Sequence, residues 1–440
     1  MRELKTAASD IAVIESLDHE GMGVSHVDGK VVFLDGGVTG ERVRFMRRRS
    51  KGSFDVGSVT EVLRESAQRV TPRCGYFGTC GGCAMQHVDP AAQVAAKQRV
   101  LEDNLARLGK VRPGRMLPPV IGPAWGYRNR ARLSVHYVAK KGGVLVGFHE
   151  RRSSFVADTH SCEVLPPHVA RLIRPLRAMF TGLTLRDRLP QIELAVGEDV
   201  TVLVLRNLEP IGEADAARLR AFADEHRVQW WLQPKGPETA HPWHPIQAPA
   251  LDYALPEFGV RLAFGPTEFT QVNAGVNRVL VKRAVDMLDP RPGERVGDLF
   301  CGLGNFSLPI ATRGARVVGM EGAATLVKRA AANARANGLD HLASFVAHDL
   351  YTDAEGALRK LGPVDKLLID PPRDGALEIC KGLPDSGAPM RIVYVSCSPA
   401  TLARDAGMLV NVKGYELQAA GVINMFPHTG HVESIALFQR

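Results

Sequence analysis

Asp298-Leu299-Phe300-Cys301-Gly302-Leu303-Gly304-Asn305-Phe306 is the stretch that decides the fold, because an apolar strand pattern ends here in a glycine turn and a helical pattern follows. Such a turn brings backbone N–H groups and a helix N-terminus close to a bound ligand. From about Glu268 onward, helical patterns alternate with the strand patterns ERVGDLF, ARVVGME, DKLLID and RIVYVSC. This alternation predicts a parallel sheet with crossover helices over residues 266–440.

The acidic residues around the glycine turn indicate which cofactor it binds. Glu321 closes the next strand, where a carboxylate can bind both hydroxyls of a ribose. A dinucleotide site usually has a third glycine for close packing over the pyrophosphate, but position 307 is Ser. Asp298 before the glycines also fits a cofactor without phosphates. The pattern favours S-adenosylmethionine (SAM) over NAD as the cofactor of this Rossmann-like α/β domain.

Three reactive side chains stand at the ends or starts of the later strands. Asp370 ends one strand in the sequence DPPR, and Cys397 ends the next in VSCSP. A helix is expected to start near Pro399, and its N-terminus would favour the thiolate of Cys397. Glu433 stands directly before the last apolar strand. We expect these groups to share one crevice, where Glu433 is a candidate base for removing a proton from carbon.

The cysteines indicate a metal centre in the first half of the chain. Three of the seven cysteines lie at Cys74, Cys80 and Cys83, and Cys162 is the only other one before residue 301. Three thiolates in a glycine-rich loop and one distant thiolate complete a four-ligand set. Zinc sites favour paired C-x2-C sequences, whereas only one is present here. The spacing therefore favours an iron-sulfur cluster over zinc.

The remaining patterns divide the chain into three predicted domains. Alternating strands in residues 8–64 predict a small β-barrel of the oligonucleotide-binding kind. A helix is expected at about 91–108, two strands in YRNRARLSVHYV and GVLVGFHE, and a loop in PKGPETAHPWHPIQAPALDY. The predicted domains are a β-barrel at 1–64, a mixed α/β cluster domain at 65–265 and the α/β domain at 266–440.

The charge distribution indicates a polyanionic partner. The net charge of +8 is concentrated in residues 61–190, which carry 21 basic and 9 acidic residues. A further basic run extends from Arg42 to Lys51. Arg128, Arg130 and Arg132 alternate along a predicted strand and are expected on one face. These features favour binding to nucleic acid.

The sequence contains neither a membrane-helix pattern nor a signal-peptide pattern, and both bear on where in the cell the protein is expected. No stretch reaches the roughly 18 to 20 consecutive apolar residues of a membrane helix. The N-terminal sequence MRELKTAASDIAVIESLDHEG also lacks the apolar core of a signal peptide. We therefore expect a cytoplasmic protein with no membrane contact.

Taken in order, these motifs resemble the RNA uracil-C5 methyltransferases, and within them the members that act on 23S ribosomal RNA. The resemblance covers nearly the whole chain. The N-terminal segment is similar to the TRAM RNA-binding module, and C-x5-C-x2-C with a distant Cys resembles the [4Fe-4S] ligands of the family. The sequences FTQVN, DLFCGLGNF, DPPR, VSCSPATLARD and HVES are similar to its catalytic blocks.

The resemblance implies a role for each matching residue. The cluster ligands would be Cys74, Cys80, Cys83 and Cys162. Cys397 would be the nucleophile and Glu433 the general base. The SAM site would be lined by Gln271, Phe300, Asn305, Glu321, Asp349 and Asp370. The partner would be 23S rRNA, bound by a monomer, and the helix near 90–108 would pack on the catalytic domain.

The implied chemistry explains why a thiol and a carboxylate are both needed. Uracil C5 is a poor nucleophile, so a thiolate must first add to C6 and create an enolate. After methyl transfer, a base must remove the C5 proton so that the thiol can leave. The target uracil must also leave its stack, and Phe426 is one candidate to stack on it.

Other functions are consistent with parts of the pattern. Cytosine-C5 enzymes usually carry a second cysteine in the Asp-Pro-Pro block, where this chain has Arg373. The same chemistry on tRNA or on another rRNA uridine remains an alternative. A non-catalytic iron-sulfur RNA-binding factor would leave Cys397 and Glu433 without a role, and an NAD-linked redox enzyme would use the cluster for electron transfer.

Overall fold

A computed structural model describes residues 10–440, and the first nine positions of the predicted 1–64 domain lie outside the described residues. The described chain forms two six-stranded sheets, a two-stranded hairpin and an eight-stranded sheet. No helix of residues 10–440 has the length and apolar character needed to cross a bilayer.

The first sheet contains six strands, in the segment where the sequence predicts alternating strands. They are β1 (Asp10–Val13), β2 (Ser16–Leu17), β3 (Gly23–Val27), β4 (Lys30–Asp35), β5 (Arg42–Ser50) and β6 (Phe54–Arg64). Their order is β1-β5-β6-β4-β3-β2. The edge strands β1 and β2 are joined by only two residues. The backbone N–H of Ile14 donates to the carbonyl oxygen of Glu41, and that of Glu15 donates to the carbonyl oxygen of Val24. The sheet therefore curls around a small apolar core that includes Val43 and Phe45.

A helix leads from this sheet to the last part of the chain. α1 (Pro90–Asn104) is capped by Asp89, whose carboxylate accepts the N–H groups of Ala91 and Ala92, and one π-helical turn, Leu105–Gly109, continues it. Gly109 packs so closely on Ala403 that a Cβ has no room. Strand β7 (Arg115–Met116) then joins the edge of the eight-stranded sheet. α1 thus packs on the C-terminal core although it precedes the middle of the chain in sequence.

The second six-stranded sheet lies in the middle of the chain and shares one apolar core with its helices. Its elements are β8 (Arg130–Val138), β9 (Gly143–Gly147), α2 (Pro167–Ala170), α3 (Ile173–Thr181), β10 (Gln191–Val196), β11 (Thr201–Arg206), α4 (Glu213–His226), β12 (Gln229–Gln233) and β13 (His241–His244). The order is β13-β12-β11-β10-β8-β9. The loop prediction for PKGPETAHPWHPIQAPALDY is wrong at β13 and at Asp252 and Tyr253, which begin the next strand. A strand that contains Pro242 is tolerated here because β13 is an edge strand, where a missing N–H is harmless.

The C-terminal part begins with a hairpin and continues as alternating helices and strands. Its elements are β14 (Asp252–Leu255), β15 (Val260–Ala263), α5 (Ala274–Leu288), β16 (Arg295–Leu299), α6 (Ser307–Ala311), β17 (Arg316–Glu321), α7 (Ala324–Ala336), β18 (Ala343–Ala347), α8 (Ala354–Leu361), β19 (Lys366–Ile369), α9 (Leu377–Gly382), β20 (Arg391–Ser396), α10 (Pro399–Asn411), β21 (Glu416–Ile423) and β22 (Glu433–Gln439). The sheet order is β18-β17-β16-β19-β20-β22-β21-β7.

The eight-stranded sheet confirms the predicted parallel α/β arrangement and adds β18 and α8, which the sequence analysis did not identify. Strands β16 to β20 are parallel, whereas β22 is antiparallel to both β20 and β21. The strand order reverses between β16 and β19. In open α/β sheets, ligands bind in the crevice at the carboxyl ends of the strands, at such a reversal point.

Candidate active site

The glycine turn after β16 opens towards this crevice. Phe300, Gly302 and Gly304 have φ angles of 63°, 56° and 97°, in the left-handed region. Phe300 is strained in this conformation, because a side chain disfavours positive φ. A Cβ on Gly302 would meet nothing within 4 Å. The N–H of Gly302 donates to Glu321 Oε2 at 3.2 Å, which connects the turn to the end of β17. The other side of Gly302 faces open space.

Asp298 lies buried beneath the turn. One carboxylate oxygen accepts a hydrogen bond from Ser307 Oγ at 2.5 Å, whereas Oδ1 accepts none from the described residues 10–440. Burial raises the pKa of Asp298 to about 7, and the charges of Asp370 and Glu321 add to the rise. Buried acceptors without donors are rare. An unused acceptor and an open glycine turn fit a site for a small polar ligand.

One cavity of about 860 Å³ contains all eight residues that were predicted for cofactor binding and catalysis. They are Gln271, Phe300, Asn305, Glu321, Asp349, Asp370, Cys397 and Glu433. The volume lies within the roughly 300 to 1,000 Å³ of typical small-molecule sites. The acids of the glycine turn and the thiol of Cys397 therefore face one continuous space.

The sheet explains why these residues meet. Phe300 follows β16, Glu321 ends β17, Asp370 follows β19 and Cys397 follows β20. Asp349 comes after β18, in the loop that leads to α8. Because the carboxyl ends of neighbouring parallel strands share one edge, their loops line the same crevice.

Two of the cofactor candidates are fixed by local hydrogen bonds. Asp349 accepts the backbone N–H groups of Tyr351 and Thr352 at 2.9 and 3.0 Å, and these bonds lower its pKa. Asn305 Oδ1 accepts from Tyr253 Oη at 2.8 Å and from Asn277 Nδ2 at 3.0 Å. The sequence analysis missed Tyr253, because it lies in a segment that was predicted to be a loop.

Cys397 and Glu433 come from neighbouring antiparallel strands. The last pair in the register of β20 and β22 is Ser396 with Ser434. Glu433 is the first residue of β22, and Cys397 directly follows β20. Glu433 is only 6% exposed. Burial raises its pKa to about 8, and the charge of Asp370 adds to the rise. Arg373 and Lys97 oppose it. Near neutral pH this carboxyl can both hold and release a proton.

The structure corrects the expectation that the helix N-terminus makes Cys397 a thiolate. Burial raises the pKa of Cys397 to about 11, and the negative charges of Glu433 and Asp370 raise it further, whereas Arg373 lowers it. Burial is the largest cause of this rise. Cys397 is therefore a thiol in the free protein at neutral pH.

The predicted basic face of Arg128, Arg130 and Arg132 holds only for the last two. Arg130 and Arg132 alternate with the buried Ala131 and Leu133 along β8 and therefore lie on one face. Arg130 is half-buried and donates to the carbonyl oxygen of Pro266 at 2.8 Å. Arg132 is exposed but pairs with Glu193 at 2.8 Å. Arg128 precedes the strand and instead lines the cavity of the active site.

The four predicted metal ligands line a second, narrow cavity. Cys74, Cys80, Cys83 and Cys162 are all free thiols. The N–H of Gly82 donates to Cys80 Sγ at 3.4 Å. Burial raises the pKa of Cys83 to about 11 and that of Cys162 to about 12.

The thiols share this cavity without converging on one point. Within residues 10–440, no group of three or more His, Cys, Asp and Glu side chains has an arrangement that could hold a metal ion. Four unpaired thiols and an N–H donor to sulfur nevertheless match the chemistry of an iron-sulfur site.

Comparisons with known proteins agree with this site. The family model described as tRNA (Uracil-5-)-methyltransferase matches residues 259–440. The 23S rRNA (uracil(1939)-C(5))-methyltransferase RlmD of Thiobacillus denitrificans is 63% identical over 427 residues, 97% of this chain and 99% of that protein. The RlmD protein of Aromatoleum aromaticum is 60% identical over 98% of this chain and 99% of its own length.

A solved structure shares the fold. The tRNA (uracil-54, C5)-methyltransferase of Pyrococcus abyssi, in complex with S-adenosyl-L-homocysteine, superposes with a TM-score of 0.74 at 22% identity, covering 98% of this chain and 100% of that one. The eight-stranded sheet is thus that of a SAM-dependent methyltransferase fold. By its identity to the RlmD proteins over nearly their full length, the chain belongs to the RNA uracil-C5 methyltransferase family.

Proposed function

We propose that this protein transfers the methyl group of SAM to C5 of a uridine in 23S rRNA, through a covalent bond between Cys397 and uracil C6. The observation that carries the proposal is the convergence of Cys397 and Glu433 on one cavity with the glycine turn. The names of the RlmD relatives support 23S rRNA as the substrate and the counterpart of uridine 1939 as the target.

The cofactor end of the cavity has polar and aromatic groups suited to SAM. Glu321 is positioned by the N–H groups of Gly302 and Ala323 and would bind the ribose hydroxyls. The rest of the SAM site would be lined by Gln271, Phe300, Asn305, Asp349 and Asp370. When bound, SAM supplies an electrophilic methyl group on a sulfonium centre.

The thiol of Cys397 acts in the first step of the reaction and the carboxyl of Glu433 in the last. The Cys397 thiol gives its proton to solvent and its Sγ forms a bond to C6. The electron pair of the C5=C6 bond moves onto the uracil as an enolate, which makes C5 nucleophilic. After C5 has gained the methyl group, the carboxylate of Glu433 removes the C5 hydrogen as a proton. The electron pair of that C–H bond forms the C5=C6 bond, the C6–S bond breaks, and the thiolate leaves.

The other parts of the chain hold the RNA. We assign the curled sheet of residues 10–64 as the TRAM barrel, because its β5 carries the exposed basic residues Arg42, Arg48 and Arg49. Cys74, Cys80, Cys83 and Cys162 would hold a [4Fe-4S] cluster, supported by the four free thiols around one cavity. One chain supplies every group of the proposed site, which supports a monomer, and the proposed 23S rRNA substrate supports a cytoplasmic location.

The test uses the full chain, tritiated SAM and unmodified 23S rRNA transcript. Cys397→Ala should bind SAM and form no covalent adduct. Glu433→Gln should add and methylate but accumulate a methylated protein–RNA adduct, because the C5 proton stays in place. RNA with 5-fluorouridine should stall the native enzyme in the same way, since fluorine does not leave as a cation.

Cys380→Ala is the matched control, because Cys380 is a buried thiol outside the cavity and should leave turnover intact. Normal turnover by Glu433→Gln, or trapping of fluorinated RNA by Cys397→Ala, would refute the assigned roles. Methylation of tRNA but not of 23S rRNA would refute the substrate.

A further inference from the structure

We propose that Tyr253 is a positioning residue for the cofactor, whose hydroxyl orients the side-chain amide of Asn305 so that it offers one N–H group to the carboxylate of SAM. The inference rests on the proposed function, in which SAM binds beside the glycine turn. It identifies how the site selects the amino acid end of its cofactor. The residue responsible lies on β14, outside the eight-stranded sheet.

The amide of Asn305 has only one hydrogen-bonding position left for a ligand. Its Oδ1 accepts from Tyr253 Oη at 2.8 Å and from Asn277 Nδ2 at 3.0 Å. Its Nδ2 donates to Asn277 Oδ1 at 3.1 Å. An amide oxygen accepts two hydrogen bonds, and an amide nitrogen donates two. The oxygen is therefore fully used, and Asn305, which is half-buried and lines the cavity, has one free N–H.

The hydroxyl of Tyr253 decides which way this amide is turned. Asn277 and Asn305 alone do not, because both amides could exchange oxygen and nitrogen and still form two hydrogen bonds. Burial raises the pKa of Tyr253, so its hydroxyl keeps its proton at neutral pH. Asn305 Oδ1 is the only acceptor of this hydroxyl within residues 10–440. In the reversed arrangement the O–H would lose that acceptor, which is unfavourable where water is excluded.

The hairpin that carries Tyr253 is held against the glycine turn at a second point. Asn333 on α7 is buried, and its Nδ2 donates to the carbonyl oxygens of Ala263 on β15 and of Leu303 in the turn, both at 3.1 Å. Its Oδ1 accepts the N–H of Ala263 at 3.0 Å. The ring of Tyr253 packs against Phe264, with 5.9 Å between centroids. The hydroxyl therefore has a fixed position relative to the turn, as a positioning role requires.

The acids around the cavity explain why the direction of the amide matters. Glu321 and Asp370 line the cavity, and Asp298 lies beneath the turn. Ionised carboxyls accept hydrogen bonds from hydroxyl and ammonium groups but repel another carboxylate. A reversed Asn305 amide would add a further acceptor to this set. The carboxylate of SAM only accepts hydrogen bonds, so it needs the N–H that Tyr253 leaves free.

The other parts of SAM have different partners in the same cavity. The rings of Phe300 and Tyr351 line it with 5.4 Å between their centroids, and aromatic faces suit the flat adenine. Glu321 can accept from both ribose hydroxyls. The carboxylate is the remaining group of SAM that lacks a donor among these residues, and the amide of Asn305 supplies one.

The proposed effect is specific to one end of the ligand. S-adenosylhomocysteine carries the carboxylate, whereas 5′-methylthioadenosine has the adenine, the ribose and the sulfur but no amino acid. Without the hydroxyl of Tyr253, the Asn305 amide is free to turn its oxygen towards the ligand. The affinity for S-adenosylhomocysteine should then fall, and the affinity for methylthioadenosine should not change.

The experiment measures the Kd of both ligands for the full chain by titration calorimetry. Tyr253→Phe removes only the hydroxyl and keeps the ring that packs on Phe264. We expect the Kd of S-adenosylhomocysteine to rise about fivefold and that of methylthioadenosine to stay native. In methyl transfer to 23S rRNA transcript, the KM for SAM should rise by a similar factor while kcat stays native, because the interaction acts on cofactor binding.

A double-mutant cycle tests whether Tyr253 acts through Asn305. Asn305→Ala removes the proposed donor and should raise the Kd of S-adenosylhomocysteine about tenfold. Adding Tyr253→Phe to it should change the Kd no further, because the amide that the hydroxyl orients is gone. Tyr137→Phe is the matched control, since it removes a hydroxyl from β8, outside the cavity, and should leave both Kd values native. Binding of methylthioadenosine reports the folded cavity in every variant.

Native affinity of Tyr253→Phe for S-adenosylhomocysteine, equal weakening of both ligands, or additive effects in the cycle would overturn the role of Tyr253. Native affinity of Asn305→Ala would overturn the amide as the carboxylate donor and leave Arg128 and Arg373, which also line the cavity, as its partners. These outcomes leave the proposed function intact. Failure of the native chain to bind S-adenosylhomocysteine or to methylate 23S rRNA would instead refute the proposed function itself.

Discussion

Met85 donates its backbone N–H to the carbonyl oxygen of His428 at 2.9 Å, and Ala84 donates to the same oxygen at 2.8 Å. Met85 follows the cysteine loop, and His428 precedes Glu433 by five residues. The ring of Trp125 stacks on His428 at 3.9 Å between centroids, and Tyr127 Oη donates to the carbonyl oxygen of Pro427 at 3.0 Å. The loop around the cysteines and the loop before the proposed base are therefore one packed unit.

This packing predicts that the state of the cysteine site affects the stability of the active site. Protein purified without oxygen should carry about four irons per chain and be brown if the four thiols hold a [4Fe-4S] cluster. Cys80→Ser should lose the colour and lower the Tm, measured by iron analysis, absorption and calorimetry. Cys380→Ser is the control and should keep its iron. Stoichiometric zinc without visible absorption would contradict the prediction.

The pKa values of the two reactive groups predict that the rate rises with pH. Burial raises the pKa of both Cys397, to about 11, and Glu433, to about 8, and each must lose a proton to act. Both groups are mainly protonated below these values, so deprotonation increases with pH. We expect kcat/KM for methyl transfer to increase from pH 7 to pH 9, whereas SAM binding should vary less. A rate that falls over this range would exclude these groups as the ones that limit turnover.

The hydrogen bonds of Asp405 are expected to stabilise the loop that contains Asp370 and Arg373. It is fully buried, and its Oδ2 accepts hydrogen bonds from Tyr394 Oη at 2.6 Å and from the N–H of Ala376 at 2.7 Å. Asp405→Asn replaces these charge-assisted bonds and should lower the free energy of unfolding by about 2 kcal/mol. Urea denaturation measures this, with the exposed Asp374→Asn as the control. Equal stabilities of the two variants would contradict the role of Asp405.

The exposed arginines of β5 predict a salt-dependent interaction with RNA. A bulge in the pairing of β5 and β6 leaves Arg48 and Arg49 both exposed although they are consecutive. Replacing both by Glu should weaken RNA binding and reduce the slope of log K against log salt by about one for each phosphate that the protein no longer neutralises. Filter binding at several salt concentrations tests this. Arg359→Glu with Lys360→Glu on α8 is the charge-matched control, and equal slopes in the two proteins would argue against RNA binding at β5.

The sequence by itself determined the parallel sheet and the residues that meet at its edge. Strand-turn-helix order follows from local patterns, and parallel strands bring their carboxyl ends together whatever the details of packing. Glu321, Asp370 and Cys397 could therefore be predicted at one crevice from their positions at strand ends. The grouping of the four cysteines followed from their count and spacing.

Only the tertiary structure decided the features that depend on packing between distant segments. Tyr253 reaches the site from the hairpin β14–β15, and no local pattern indicates where a hairpin docks. The protonation of Cys397 was wrongly predicted because a helix N-terminus is visible in sequence, whereas burial and two neighbouring acids are not. Burial and the approach of distant charges arise only when the chain is folded, and here they set the state of both proposed catalytic groups.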